Sequence, residues 1–356
     1  MKNICFFSGD ITRSGGTEKV ACQIANGLCK THNIRFVSLC EKSKMFYELD
    51  EAISRDALFD ENPDGIRQYA AIVSRLRKYI KKHKIDILID VDTILDMFSV
   101  PAVKFTRTKL IAWEHFNFEE TMGNSLRVPI RKYLTRHAEK IVTLTKEDRE
   151  TYIDRLKCPE KIEQIYNPIE ICKSDVPYDE SSKTIISVGR LANQKGFDIM
   201  LDVAELVFEK HPDWEWIVLG NGDDYEKLEE KRKEKNLEQV KFLGRKENVS
   251  EYLEKSAIYA MTSRYEGFPL VLIEAKAKNL PVVSFSCKTG PSELVENGVN
   301  GYLVDCFDVC GMAEKICVLI ENAQLRKSFS DKALLDTDKM DYEMIINEWK
   351  NLIEKV

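Results

Sequence analysis

The chain is expected to fold as α/β, with two doubly wound Rossmann-like domains facing each other across a cleft. Short runs rich in Ile, Val and Phe alternate with amphipathic stretches of helical period along nearly the whole sequence. The strand candidates are apolar on both faces, which implies parallel sheets covered by helices. A length of 356 residues also exceeds what one hydrophobic core usually organises.

In chain order, the first half offers strands at NICFFS (3–8), IRFVSL (34–39), IDILIDV (85–91), KLIAWE (109–114), KIVTLT (140–145) and IEQIY (162–166). Helical patterns such as TEKVACQIANGLCK (17–30) and IRQYAAIVSRLRKYIKKH (66–83) separate most of them. The segment NPIEICKSDVPYDESSK (167–183) has two prolines, clustered Ser and Asp, and no sustained period, so it reads as the seam. Strands then recur at TIISVG (184–189), WEWIVLG (214–220), VKFLG (240–244), AIYAMTS (257–263), PVVSFS (281–286) and GYLVD (301–305). The domains are placed at 1–170 and 171–338. The remaining helix, 339–356, carries Met344, Ile345, Trp349, Leu352 and Ile353 on one side and is a candidate to pack back onto the first domain.

Composition narrows the functional class. With 44% hydrophobic and 31% charged residues the chain reads as soluble and globular, and no apolar run approaches the roughly 18–20 residues that span a bilayer. The N-terminus MKNICFFSGD reads as a buried strand, being too short in apolar residues for a signal peptide. The ten cysteines form no C-x-x-C pair and show no ligand-like spacing with the five histidines, so they read as small, mostly buried residues of a reducing cytoplasm. Residues 1–170 hold 28 Lys and Arg against 25 Asp and Glu, the remainder 25 against 34. A basic half joined to an acidic half suggests different partners for each, while duplex nucleic acid would need a stronger basic bias.

Ligands of doubly wound sheets bind outside the carboxyl ends of the strands. Most of the unusual residues fall there. After the first strand, Gly15-Gly16 precede a helix opening at Thr17 or Glu18. Such a loop is either a tight turn or a place where backbone N–H groups approach an anion. After TIISVG, Arg190 and Lys195-Gly196 project from one loop, a fork and a point charge suited to a diphosphate. In EGFPLVLIEAKAKNLP, Pro269 suits the first helical position, leaving Glu266 in the loop and Glu274 one to two turns inside the helix. Free helix N–H groups around Phe268 to Val271 would accept a phosphate or sugar hydroxyl. A carboxylate accepts two hydrogen bonds from vicinal hydroxyls, so one acid for each sugar and cations between them suit a sugar nucleotide.

Gly15-Gly16, Gly189-Arg190-Leu191 with Lys195-Gly196, and Glu266 followed eight residues later by Glu274 together resemble the retaining glycosyltransferases of family 4, which have the GT-B fold. The match covers both halves in the expected order. FSCKTGPSELVENGVNGYLV (285–304) resembles that family's closing segment, in a variant common among bacterial surface-polysaccharide enzymes. The resemblance implies that Gly15 and Gly16 approach the donor phosphates. Arg190 and Lys195, beside Gly189, would bind the diphosphate and stabilise it as leaving group. Glu266 would contact the donor sugar, helped by the backbone of Gly267, Phe268, Pro269 and Leu270, and Glu274 would hold the ribose. Arg245, in FLGRKE, falls where the nucleobase usually stacks. His115 matches a histidine beside the reacting sugar, with a core histidine as the lesser alternative for a lone residue of this type. Glu114 and Glu18 are secondary candidates near the acceptor.

The expected activity is metal-independent, retaining transfer of a hexose or N-acetylhexosamine from a UDP-sugar to a glycan acceptor on a lipid carrier. Retention by same-face attack, with the leaving phosphate taking the acceptor's proton, follows from the resemblance. No metal or cofactor is expected. A D-x-D spacing at Asp90 and Asp92 lies at a strand end of the other domain. The basic stretches 67–84 and 127–140, with interleaved Tyr, Ile and Leu, suit either sheet-covering helices or contact with an anionic membrane at its cytoplasmic face. The competing readings are a nucleotide-sugar epimerase of the same architecture and a non-catalytic subunit that activates a partner.

Overall fold

The structure, a computed structural model, describes residues 1–169, 176–335 and 337–356. The chain divides into two compact units, Met1–Pro168 with Lys339–Val356, and Ile169–Asp338. Residues 170–175 of the expected seam lie outside the described residues. Its later part is tied to the second unit, where the Tyr178 hydroxyl donates to the Ala257 carbonyl at 2.8 Å and Ser182 Oγ to Lys255 at 2.7 Å.

The first unit is a seven-stranded parallel sheet. In chain order it contains β1 (Asn3–Ser8), α1 (Gly16–Leu28), β2 (Asn33–Ser38), β3 (Ser54–Ala57), α2 (Tyr69–Lys82), β4 (Ile87–Val91), α3 (Asp96–Val103), β5 (Lys109–Trp113), α4 (Arg127–Tyr133), β6 (Lys140–Thr143), α5 (Lys146–Leu156) and β7 (Ile162–Gln164). The spatial order is β3-β2-β1-β4-β5-β6-β7. Ile4 to Phe7 of β1 and Leu88 and Ile89 of β4 are fully buried, as a central strand covered on both faces requires. On one face Cys5, Phe7, Leu88 and Ala112 meet Ile72 and Leu76 of α2.

β3 was not expected from the sequence. Its residues Ser-Arg-Asp-Ala are all exposed and carry no apolar pattern. Backbone pairing with β2, from Arg35 opposite Ser54 to Ser38 opposite Ala57, creates this edge strand. Asp56 adds an ion pair to Arg35 at 3.5 Å and a hydrogen bond from Tyr79 at 2.6 Å.

The C-terminal helix, Tyr342–Lys355, is capped by Asp341, whose carboxylate accepts from the amides of Glu343 and Met344. It packs on α1. Gly27 has no room for a Cβ against Ile346, and the Tyr342 hydroxyl donates to the Gln23 carbonyl at 3.1 Å. Its buried side consists of Ile345, Ile346, Trp349, Leu352 and Ile353, whereas Met344 is half exposed, one position off the expected stripe.

The second unit is a six-stranded parallel sheet containing β8 (Thr184–Val188), α6 (Phe197–Lys210), β9 (Glu215–Leu219), α7 (Tyr225–Glu234), β10 (Val240–Phe242), α8 (Val249–Glu254), β11 (Ile258–Met261), α9 (Leu270–Ala277), β12 (Val282–Phe285), α10 (Pro291–Leu294) and β13 (Gly301–Val304). Its order is β10-β9-β8-β11-β12-β13. In both units the winding reverses beside the first strand, between β1 and β4 and between β8 and β11. These are the switch points outside which doubly wound sheets hold ligands.

Candidate active site

At the carboxyl end of β8 the chain turns sharply over its neighbours. Gly220 (φ +140°) allows the Gly189 carbonyl to lie against its backbone, and the Gly189 N–H donates to Leu219 at 2.9 Å. Gly196 (φ +65°) packs against the Thr262 carbonyl in the same way. The first approach stitches the end of β8 to the end of β9, and the second stitches the loop after β8 to the loop after β11. The Arg264 amide donates to the Gln194 carbonyl at 2.8 Å, and the Thr262 hydroxyl lies 3.1–3.3 Å from the carbonyls of Lys195 and Gly196. Arg264 also forks onto Asp198 at 2.6 and 2.8 Å, fixing the first turn of α6.

This stitching brings Lys195 and Glu266 together. Lys195 Nζ donates to Glu266 Oε1 at 2.7 Å, and the Glu266 side chain is 6% exposed. The lysine stem lies over Gly189, so a Cβ there would stand 3.2 Å from Lys195 Cδ. A third loop closes from the far side. Thr289 Oγ1 donates to the Glu266 carbonyl at 2.5 Å, and Gly290 (φ +99°) lets the chain lie against the Pro269 ring. Tyr259 beneath is pushed well above the usual phenol range, first by burial and then by the negative charge of Glu266 and Glu274.

Other expected residues fall as follows. Arg190 is exposed at the rim, in the loop that follows β8. Glu274 is half-buried on α9. Arg245 is exposed, with its amide donating to Asn221 Oδ1 at 3.1 Å. Pro269 is the N-cap of α9 rather than its first helical residue, because its ψ of 85° is not helical. The Leu270 amide is already bonded to the Phe268 carbonyl at 2.9 Å, so fewer helix N–H groups are free there than the sequence suggests. Phe268 is buried beside them.

In the first unit, Gly15 caps α1, which opens at Gly16, one residue earlier than expected. Glu18 lies over Gly15 and its carboxyl is raised by burial. His115 follows β5 and is 6% exposed, with no hydrogen-bond partner for Nε2 among the described residues. Burial lowers its imidazole to about 3, so it is neutral at physiological pH. Its ring packs on Trp113 at 4.3 Å, and Trp113 meets Trp349 of the C-terminal helix at 4.8 Å.

Glu114 does not serve as an acceptor-side candidate. It is fully buried and accepts from Arg131 at 2.6 and 3.1 Å, Thr93 at 2.9 Å, Tyr152, and the amides of His115 and Phe116. Burial alone would raise the carboxyl, but Arg131 and these hydrogen bonds bring it to about 2. Its work is to hold the turn that presents His115. Asp92 is likewise engaged, held by a forked Arg127 at 2.8 and 2.9 Å, and Asp90 is fully buried. Sequence spacing carries no sign of this network, since Arg127, Arg131 and Tyr152 converge only through the fold.

Comparison with known proteins agrees with this architecture. The family described as "Glycosyl transferases group 1" matches residues 169–335, and "Glycosyltransferase Family 4" matches residues 14–172. An uncharacterized glycosyltransferase of Haemophilus influenzae is 37% identical over 99% of this chain and 100% of its own length. The amylovoran biosynthesis glycosyltransferase AmsD of Erwinia amylovora is 28% identical over 96% of this chain and 97% of its own. Among solved structures, TarM of S. aureus superposes with a TM-score of 0.83 at 18% identity, covering 99% of this chain and 98% of that one. Anabaena HepE in complex with UDP and glucose gives 0.81 at 20% identity, with 99% of both chains covered. With a full-length relative at 37% identity, both family matches in order and two sheets of the same winding, the chain belongs to the family 4 glycosyltransferases and has the GT-B fold.

Proposed function

We propose that this glycosyltransferase moves a hexose or N-acetylhexosamine from a UDP-sugar to a lipid-linked glycan in surface polysaccharide synthesis, with retention of anomeric configuration. The observation that carries the donor reading is the Lys195–Glu266 pair, partly buried at the switch point between β8 and β11 in the same loop cluster as the exposed Arg190. UDP is supported by the complexes of HepE with UDP and glucose and of TarM with UDP. The acceptor class is supported by a Campylobacter jejuni relative, 27% identical over 96% of both chains, whose name specifies transfer of N-acetylgalactosamine to a glycan on diphosphoundecaprenol.

In this reading the leaving diphosphate is held by Lys195 and Arg190, and a metal is not required to neutralise it. Glu266 binds the donor sugar's hydroxyls and Glu274 the ribose. His115, neutral and with Nε2 open, offers one hydrogen bond to the reacting sugar from the first unit. Gly15 and Gly16 let the α1 N-terminus approach the phosphates, and Arg245 lies near the base. The acceptor hydroxyl attacks from the face the diphosphate leaves, and its proton passes to the departing phosphate oxygen.

No helix among the described residues is long and apolar enough to cross a membrane. Delivery of a lipid-linked acceptor is assigned to contact of the first unit with the cytoplasmic leaflet, through the basic α2 and its neighbours. The test is calorimetric titration with UDP, GDP and ADP, each with EDTA. Metal-free, UDP-selective binding is expected, reduced at least tenfold in Lys195→Met, followed by transfer from a UDP-hexose to a lipid-linked acceptor. Preference for GDP or ADP would change the donor. Release of UDP from a UDP-sugar without acceptor would favour an epimerase, and absence of all binding a non-catalytic subunit.

A further inference from the structure

The two side chains that this reading assigns to different parts of the donor are bonded to each other. Lys195 is meant for the diphosphate and Glu266 for the sugar, yet they form a 2.7 Å ion pair in which the lysine is 16% and the glutamate 6% exposed. Their backbones are pinned independently. The Lys195 amide donates to the Ala192 carbonyl at 2.9 Å, and the Lys195 carbonyl lies 3.3 Å from Thr262 Oγ1. The Glu266 carbonyl is held by Thr289 at 2.5 Å. A change of partner here is a side-chain rotation, with no loop movement needed.

Resting on the donor assignment above, we propose that Glu266 competes with the donor diphosphate for Lys195 and thereby expels the spent nucleotide. A buried carboxylate is costly unless it is paired or hydrogen-bonded. With a UDP-sugar in place, Lys195 turns to the diphosphate and the sugar hydroxyls satisfy Glu266. After transfer the sugar has left with the acceptor, and the carboxylate has lost its donors. Lys195 is the cation within reach, and Glu266 draws it back from the phosphate. The intact donor is thus held with both partners satisfied, whereas UDP alone is held against a competing carboxylate. The same two residues recognise the donor and reject the product.

Three titrations test this. Glu266→Gln removes the competing charge, and UDP is expected to bind roughly tenfold or more tightly than to wild type, the size of one charge-assisted hydrogen bond. The gain should lie in a slower dissociation rate. A non-transferable phosphonate analogue of the UDP-sugar should gain less or lose affinity, because the same substitution weakens its sugar contacts. In a Lys195→Met background, Glu266→Gln should give no gain. Equal tightening with and without Lys195 would reduce the effect to long-range repulsion and overturn the proposal, as would no tightening at all. Should Lys195→Met fail to fold, Glu266→Asp replaces it. The carboxylate is then withdrawn by one methylene at unchanged charge, so competition predicts tighter UDP binding and repulsion predicts none. If wild type binds UDP and Lys195→Met weakens it while Glu266→Gln is neutral, the donor site stands and the competition falls. If wild type does not bind UDP, both fall.

Discussion

Glu114 and His115 are adjacent in sequence and both buried, yet one is fully occupied and the other keeps a nitrogen without a partner among the described residues. Only the position after a strand was legible in the sequence. Which of the pair is taken up by the protein and which keeps an unpartnered atom depends on Arg131 and Tyr152, which lie 17 and 38 residues from Glu114. A second acid pair has a measurable consequence. Asp90 and Asp96 are both fully buried and each acts on the other's carboxyl, with Ser99 donating to Asp90 at 2.7 Å and Thr135 donating to Asp96. Two carboxylates buried side by side do not both stay ionised, so the pair keeps a proton. Burial raises Asp96 from 3.8 to about 7 despite these bonds. The native state therefore holds a proton that the unfolded chain releases, and this pair's contribution to stability falls as pH rises from about 4 through about 7, where Asp96 titrates, with Asp90 likewise raised well above the usual carboxylate range. Thermal melts from pH 5 to 8 should show this decline. Asp96→Asn, whose amide donates in the proton's place, should flatten it and melt higher than wild type at pH 8. Parallel slopes in the two proteins would contradict the shared proton.

Elements were legible wherever an apolar run or an amphipathic period existed, and illegible where pairing alone creates them. β1 declares itself through four consecutive fully buried residues, while β3 exists only because β2 offers it a ladder. The α9 N-terminus shows the limit at a boundary. Pro269 is compatible with both N-cap and first-turn positions, and the tight packing of Gly290 on its ring accompanies the former. The strongest test at this scale is the seam between the loops after β8 and β9. At Gly220, with φ +140°, a Cβ would overlap the Gly189 carbonyl oxygen. Gly220→Ala should cost about 2–4 kcal/mol in chemical denaturation through strain and forced displacement. It should also weaken UDP binding, because Gly189 carries the bed of the Lys195 stem. Unchanged affinity would show that the lysine does not depend on that bed.

Across the whole molecule the sheets share one winding, and candidate ligand groups gather on the carboxyl rims of both. The charge asymmetry seen in the sequence has a definite location. Residues 66–84 contain seven Lys and Arg and no acid. Arg75 and Arg77 are bonded to backbone carbonyls, whereas Lys78, Lys81, Lys82 and Lys84 are exposed, and Phe105 nearby in the chain after α3 is 90% exposed under Lys104. Co-sedimentation with phosphatidylglycerol vesicles at low salt is expected. It should fall several-fold in Lys78→Glu/Lys81→Glu/Lys82→Glu, since each cation near an anionic surface contributes about 1 kcal/mol. Background sedimentation for wild type would assign α2 to covering the sheet alone. The C-terminal helix carries a different consequence, one for synthesis. It completes the core of the first unit around Trp113, yet it follows the whole second unit in the chain. At roughly 5–20 residues per second, the ribosome needs on the order of 10–30 s to make the intervening segment. Throughout that interval the nascent first unit leaves bare the groove beside Gly27 and the face of Trp113. Chaperone occupancy should peak in that interval and end when the last helix emerges.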